Sequence, residues 1–266
     1  MMAVSDVKIG LQLHSVRESF QEDEIAALRQ IKAMGYSGVE LVYGTLPADQ
    51  GGLLRHTAEY YREALAKTDM ECYGVLVAWE NFQQDKLQHT IDYCKTLGSP
   101  SVIIGSVTPD YLSTIKEVEA VISYMNLINE VCKGHHMISG YHNHASDFTH
   151  VVEGKSFFEH VFDNTPEDFM MVLDTGNAMD GGFDSIELLK KYPERSQILH
   201  MKGYSQEKKY LAYIGQDDFN WEELTHCAVE TGKAQILNVE FGLRGDYDPF
   251  ERAKSSYDVL RHILDA

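Results

Sequence analysis

The chain has 266 residues, 44% of them hydrophobic and 24% charged, which suits one large globular domain able to bury a sizeable core. Its 23 Lys and Arg against 41 Asp and Glu give a formal charge of −18, which repels phosphate backbones and anionic lipid heads and speaks against nucleic-acid and membrane partners. The four cysteines are scattered without a C-x-x-C pair. The first residues lack a basic stretch followed by an apolar one, and no run approaches the roughly 20 apolar residues of a membrane span, so a soluble, cytoplasmic protein without disulfides is expected.

Along the chain, short β-rich runs alternate with longer amphipathic segments. The first strand is predicted over Lys8–His14, followed by a helix with Ile25, Leu28, Ile31 and Met34 on one face and Gly35 as its stop. Strand two is Gly38–Val42, then a helix around Leu53–Lys67, then strand three over Cys72–Val77. A helix carrying Leu87, Ile91, Cys94 and Leu97 stops at Gly98 before strand four, Ser101–Gly105. The next has Val118, Val121, Met125, Ile128 and Val131, stops at Gly134, and leads to strand five, Met137–Asn143. A helix near Phe157–Val161 precedes strand six, Met170–Asp174, and a short one at Ser185–Lys191 precedes strand seven, Gln197–Lys202. Asn220, with Glu223 as capping-box partner, opens a helix ending at Gly232. Strand eight is Gln235–Glu240, and Pro249 suits the first turn of the last helix.

Eight strand-helix units without a linker predict an α/β fold of the (β/α)8 TIM-barrel type, a single domain over residues 1–266, for which about 250 residues is typical. An open doubly wound sheet is the alternative, but it commonly has about five or six strands. No G-x-G-x-x-G follows the first strand, which counts against a dinucleotide fold.

In such a barrel the active site forms at the C-terminal ends of the strands. There the late strands place His142, Asp174, His200 and Glu240, each after an apolar run. Each has a bland reading: a lone strand-end histidine is usually a satisfied core or loop residue, and Asp174 before Thr175-Gly176 suits a turn. Glu240 is harder to dismiss, because an unpaired buried carboxylate costs several kcal/mol, roughly. Coincidence on four consecutive strand ends is improbable, and this mix of imidazole and carboxylate suits one divalent ion such as Mn²⁺, Zn²⁺ or Co²⁺.

At these residues the sequence resembles the xylose isomerase-like TIM-barrel superfamily, which includes sugar phosphate isomerase/epimerases, inosose dehydratases and zinc AP endonucleases. The resemblance is carried by Gly10-Leu11-Gln12-Leu13-His14-Ser15-Val16-Arg17, Tyr141-His142-Asn143-His144-Ala145-Ser146-Asp147-Phe148, Asp174-Thr175-Gly176-Asn177, His200-Met201-Lys202, Gly215 to Trp221 and Val239-Glu240, in that order. By that resemblance His142, Asp174, His200 and Glu240 match the family's four metal positions, and dimers or tetramers are common. Many of its epimerases have glutamate where this chain has His142, which puts symmetrical two-glutamate epimerisation in doubt and turns attention to the dehydratase branch. The extra zinc histidines of the endonucleases are missing: Gly74-Val75-Leu76, Ile103-Ile104-Gly105 and Asn177 stand in their places, and no D-x-H lies near Asp217.

The resulting expectation is a metal-dependent isomerase or epimerase of a keto sugar or related polyol, working through an enediolate. A lyase or dehydratase on a keto sugar or keto inositol is the runner-up, and a non-catalytic sugar-binding barrel the third reading. Glu240 is expected as ligand and base. His144 would be a second acid-base group if strand five continues past His142, and otherwise a loop histidine. Lys202 would donate to a developing oxyanion, or else be a solvated strand-end lysine. Glu40 is expected to bind sugar hydroxyls or act as a base, with a structural ion pair as its rival. His14 and Trp79 would wall the pocket, with plain barrel cover as the rival reading of Trp79, Asn177 would sit beside the metal, and Arg244 is the only obvious cation after strand eight.

Overall fold

A computed structural model describes residues 6–44, 54–83, 85–107, 112–242 and 247–266. Leu53 and Arg244, both invoked above, lie outside the described residues. Eight parallel strands form one sheet: β1 (Lys8–Gln12), β2 (Gly38–Tyr43), β3 (Glu71–Val77), β4 (Ser101–Ile104), β5 (Ile138–His142), β6 (Met170–Val172), β7 (Ile198–Met201) and β8 (Ile236–Val239). Their order is β6-β5-β4-β3-β2-β1-β8-β7, so chain neighbours pair all the way round and the two ends of the sheet are β6 and β7. These ends meet without a regular ladder. His200 N–H donates to Leu173 O at 2.9 Å, Met171 N–H to Arg195 O at 2.6 Å, and Asp174 and His200 form a single parallel bridge. The result is the predicted (β/α)8 barrel, closed by a thin seam.

The strands close into a barrel because they are buried on both faces. Val39, Val75, Val102, Ile103, Ile104, Met171, Leu199 and Leu237 are all fully buried. Each such side chain is worth about 1.5–3 kcal/mol relative to exposure, so the apolar staves hold the body of the barrel without help from its mouth.

Outside the barrel pack the helices α1 (Arg17–Glu22), α2 (Glu24–Ala33), α3 (Ala58–Lys67), α4 (Leu87–Leu97), α5 (Ile115–Gly134), α6 (Ala145–Thr149), α7 (Phe157–Asn164), α8 (Thr175–Asp180), α9 (Ser185–Lys191), α10 (Trp221–Glu230) and α11 (Pro249–Asp265). Local chemistry sets their ends. The side chains of Thr57, Thr114, Ser156, Asp184 and Asp248 accept first-turn N–H groups of α3, α5, α7, α9 and α11. Asn220 caps α10 by accepting the Glu223 N–H at 3.3 Å, but the return half of the predicted capping box is replaced by a side-chain contact, Asn220 Nδ2 donating to Glu223 Oε2 at 3.2 Å. Gly98 ends α4 in the left-handed region at φ 87°. The stop predicted at Gly134 is where α5 ends, although the glycine is its last helical residue and His136, two positions on, takes the left-handed turn at φ 60°.

Several short pieces escaped the periodicity reading: α6, α8, a hairpin of Val151–Val152 with Lys155–Ser156, and 3-10 turns at Leu13–Val16 and Trp79–Phe82. Most sit in loops at the strand C-termini, where no hydrophobic period is required. Among the described residues no helix is long and apolar enough to cross a membrane.

Candidate metal centre

At the barrel mouth the apolar runs give way to polar side chains. His142 is the last residue of β5 and His200 lies within β7, while Asp174 and Glu240 closely follow β6 and β8. His142 Nε2 lies 3.4 Å from Asp174 Oδ2 and 3.4 Å from Glu240 Oε2. His200 Nδ1 approaches the same Glu240 oxygen at 2.6 Å. One donor atom from each of the four side chains lies within 4.8 Å of the others. Two ligands of one Zn²⁺-sized ion can be at most about 4.4 Å apart, so the cluster is close to a coordination shell and slightly wider.

The chemistry of the donors fits a cation. Nδ1 of His142 is buried without a partner, and such an atom costs about 1–3 kcal/mol when left unpaired. His142 Nε2 and Asp174 Oδ2 meet only charged neighbours, each other at 3.4 Å and, for Oδ2, Lys202 Nζ at 3.2 Å. The two oxygens of Asp174 divide their work: Oδ1 accepts the Asn177 N–H at 2.7 Å to cap α8, and Oδ2 faces the cluster. The turn reading of Asp174 and its metal reading are therefore compatible.

Neighbouring groups tune the cluster. Burial alone would push the His200 imidazole down, but the Glu40 charge and hydrogen bonds to Glu240 and Glu40 hold it up at about 10. For Glu240, burial would raise the carboxyl, but the Lys202 charge and bonds from His142 and His200 keep it well below its usual range. Lys202 Nζ lies 2.7 Å from Glu240 Oε1 and 3.2 Å from Asp174 Oδ2. These carboxylates outweigh burial and hold the ammonium charged. It is buried, not the solvated strand-end lysine of the bland reading.

His144 stands just beyond β5, which ends at His142, so the two do not share a strand face. Its backbone N–H donates to Asp147 Oδ2 at 2.8 Å, and its ring sits edge-on to that of His142 at 5.1 Å. Burial, then the charges of His142 and Lys202, push it down to about 4, so it is neutral at pH 7.

A cavity of about 660 Å³ opens above, lined by His14, Arg17, His144, Asn177, Lys202 and Tyr210 among others. Neither Glu40 nor Trp79 lines it. Glu40, on β2, is fully buried, with its oxygens 3.0 and 3.1 Å from His200 Nε2, the nitrogen opposite the one facing Glu240. This ion pair is the rival anticipated for Glu40. Trp79 is buried with its ring edge-on to Tyr124 at 5.8 Å and near Phe82.

Three residues about the site had drawn no assignment. Asn143 donates to Asp174 O at 3.2 Å and accepts the Asp174 N–H at 2.8 Å, so its amide bridges the strands that carry two of the cluster residues. Asn238 sits beside His200 in the β7–β8 register. Tyr210 lies under the Lys202 ammonium, 5.4 Å from its ring centre. Only Asn143 had a signal, its place inside the Tyr-His-Asn-His string.

A parallel (β/α)8 barrel with a cation-ready cluster at its mouth defines the class of protein. The chain belongs to the xylose isomerase-like TIM barrel family, whose model matches residues 28–263. It is 31% identical over 107 residues to an inosose dehydratase of Geobacillus kaustophilus, a match that spans 40% of this chain and 34% of that enzyme's length. Its fold is similar to a sugar phosphate isomerase/epimerase of Parabacteroides distasonis, with TM-score 0.80, 21% identity, and coverage of 96% of this chain and 94% of the other. It is also similar to a D-allulose 3-epimerase from Methylomonas sp., with TM-score 0.69, 10% identity, and coverage of 97% and 98%.

Proposed function

We propose that this chain is a divalent-metal-dependent isomerase or epimerase of a keto sugar or related polyol, acting through an enediolate. The observation that carries the reading is the convergence of His142, Asp174, His200 and Glu240, with a buried ring nitrogen of His142 left unpaired, beneath a cavity of small-molecule size. These four would hold one Mn²⁺, Zn²⁺ or Co²⁺ ion. Bound there, the ion supplies Lewis-acid stabilisation of negative charge on a carbonyl oxygen and its neighbouring hydroxyl.

The protein's own groups then move the proton. Glu240 is the base at the acidified carbon. In the resting site its basicity is suppressed by Lys202 at 2.7 Å. When Lys202 turns to donate to the developing oxyanion, that restraint is lifted and the carboxylate can accept a proton. His144, neutral and lining the cavity, is the second acid-base group, and His14 and Asn177 contact substrate hydroxyls. Glu40 takes a role different from the sugar-binding one expected: it holds Nε2 of His200 so that Nδ1 faces the cluster.

Replacing Glu40 with glutamine is expected to weaken metal binding about 10–100-fold, the usual cost of losing a partner behind a ligating histidine. Competition against a chelator measures it, and an unchanged dissociation constant would remove Glu40 from this role.

A second reading, elimination of water from a keto sugar or keto inositol, is favoured by two specifics: histidine rather than glutamate at position 142, and the likeness to an inosose dehydratase. Proton NMR in D₂O with a panel of keto sugars separates the two. Solvent deuterium entering the substrate without loss of water supports isomerisation or epimerisation, whereas loss of water supports the lyase. Unchanged substrate across the panel, with the metal bound, would leave a binding barrel.

A further inference from the structure

Lys202 is committed to Asp174 and Glu240, but the cavity above holds a second permanent cation with no such commitment. Arg17 makes no ion pair with a carboxylate among the described residues. Its Nη1 lies 2.8 Å from His14 Nε2. A guanidinium can only donate, so His14 must accept through Nε2 and stay neutral with its proton on Nδ1. Burial, with the Arg17 and Lys202 charges acting against the pull of Glu240, lowers the His14 imidazole in the same sense.

The pair is held in one turn. The His14 N–H donates to Gln12 Oε1 at 2.7 Å, and the Arg17 N–H bonds back to His14 O. Arg17 is the first residue of α1, where the helix dipole disfavours a cation, so its charge does not serve the helix. A guanidinium has five N–H donors and His14 engages one of them through this contact. Among the described residues no Asp or Glu lines the cavity wall; Asp174 and Glu240 lie beneath it, where Lys202 meets both. Those two carboxylates are taken up by Lys202 and the histidines, which leaves the Arg17 charge facing the cavity without an acid of its own among the described residues.

We infer that Arg17, propped by His14, recognises an anionic group, so that the substrate is a carboxylated or phosphorylated sugar or polyol rather than a neutral one. The planar fork takes a carboxylate or phosphate through paired N–H donors. That leaves the cluster for oxygens at the reacting carbon, an assignment resting on the function proposed above. The absence of a glycine-rich phosphate loop is no obstacle, because a side chain supplies the donors.

The test is calorimetric binding of D-gluconate, D-glucitol 6-phosphate and neutral D-glucitol to the metal-loaded and the EDTA-treated protein. The wild type is expected to bind at least one anion about tenfold or more tighter than glucitol, the size of a charge-assisted hydrogen-bond gain, and to do so in both states. Which anion wins distinguishes carboxylate from phosphate. Arg17→Met should erase the preference with metal content unchanged, and Arg17→Lys should restore part of it.

Equal affinities, no binding of either anion at millimolar concentration, or a preference that survives Arg17→Met would overturn the inference. A preference seen only with metal and untouched by Arg17→Met would assign the anion to the ion itself. Failure of the wild type to bind metal would sink the functional reading while leaving the EDTA-treated comparison to decide the role of Arg17.

Discussion

Glu240→Gln is expected to lower kcat by about 10²–10⁴-fold or more at saturating metal while the barrel stays folded, because a general base alone contributes that much. The substitution is isosteric, and the apolar staves that hold the barrel lie away from residue 240. It removes the anion that Lys202 meets at 2.7 Å and His200 at 2.6 Å. Metal affinity should fall as well, since one charged ligand becomes a neutral amide. Saturating the ion separates the two effects: a pure ligand role is rescued by added metal, whereas a base role is not. Turnover within tenfold of wild type under those conditions would refute the base assignment, and circular dichroism serves as the folding control.

Metal affinity is expected to rise steeply with pH, with proton release on loading at pH 7. Without an ion, burial opposes charge on His200, but the Glu40 and Glu240 carboxylates keep it protonated up to about pH 10. His142 is raised too: burial and the His200 charge oppose it, and bonds to Asp174 and Glu240 prevail. A cation needs the bare ring nitrogens and must displace these protons. Titration in buffers of different ionisation enthalpy counts them, and an affinity flat between pH 6 and 9 would contradict the picture. His200→Ala and Asp174→Asn should each lower bound metal, and full content in both would take these residues out of the shell.

The linked effect on stability has the opposite sign. The folded pKa of His200 lies above its unfolded value of about 6.5. Its contribution to metal-free stability is therefore complete below that value and is lost as pH rises toward about 10. EDTA-treated protein should lose Tm over that window.

Much of this was legible in the chain because two periods carry it. Runs such as Val102-Ile103-Ile104 and Ile198-Leu199 announce staves, and the first chemistry-bearing residue after each late run marks the mouth. Hence His142, Asp174, His200 and Glu240 could be named as a set, and they converge. What stayed hidden depends on neighbours across the barrel. Glu40 is separated from His200 by 160 positions, and only the closing of the sheet puts them 3.0 Å apart. Of the two readings of Trp79, pocket wall or barrel cover, position after a strand does not choose; Tyr124 on α5, edge-on at 5.8 Å, favours cover. Arg17 stood inside the Gln-Leu-His-Ser-Val-Arg string, yet its contact with His14 arises from a 3-10 turn that no hydrophobic pattern signals.

The thin join between β6 and β7 gives the cluster a mechanical meaning. His142 and Asp174 ride on one bank of that join, His200 and Glu240 on the other, and the bridge between Asp174 and His200 is itself one of its few rungs. A cation gripped by all four would act as a clasp on a hoop. Parting of the two banks would have to release it, so retention of the ion and integrity of the mouth become a single property of this protein.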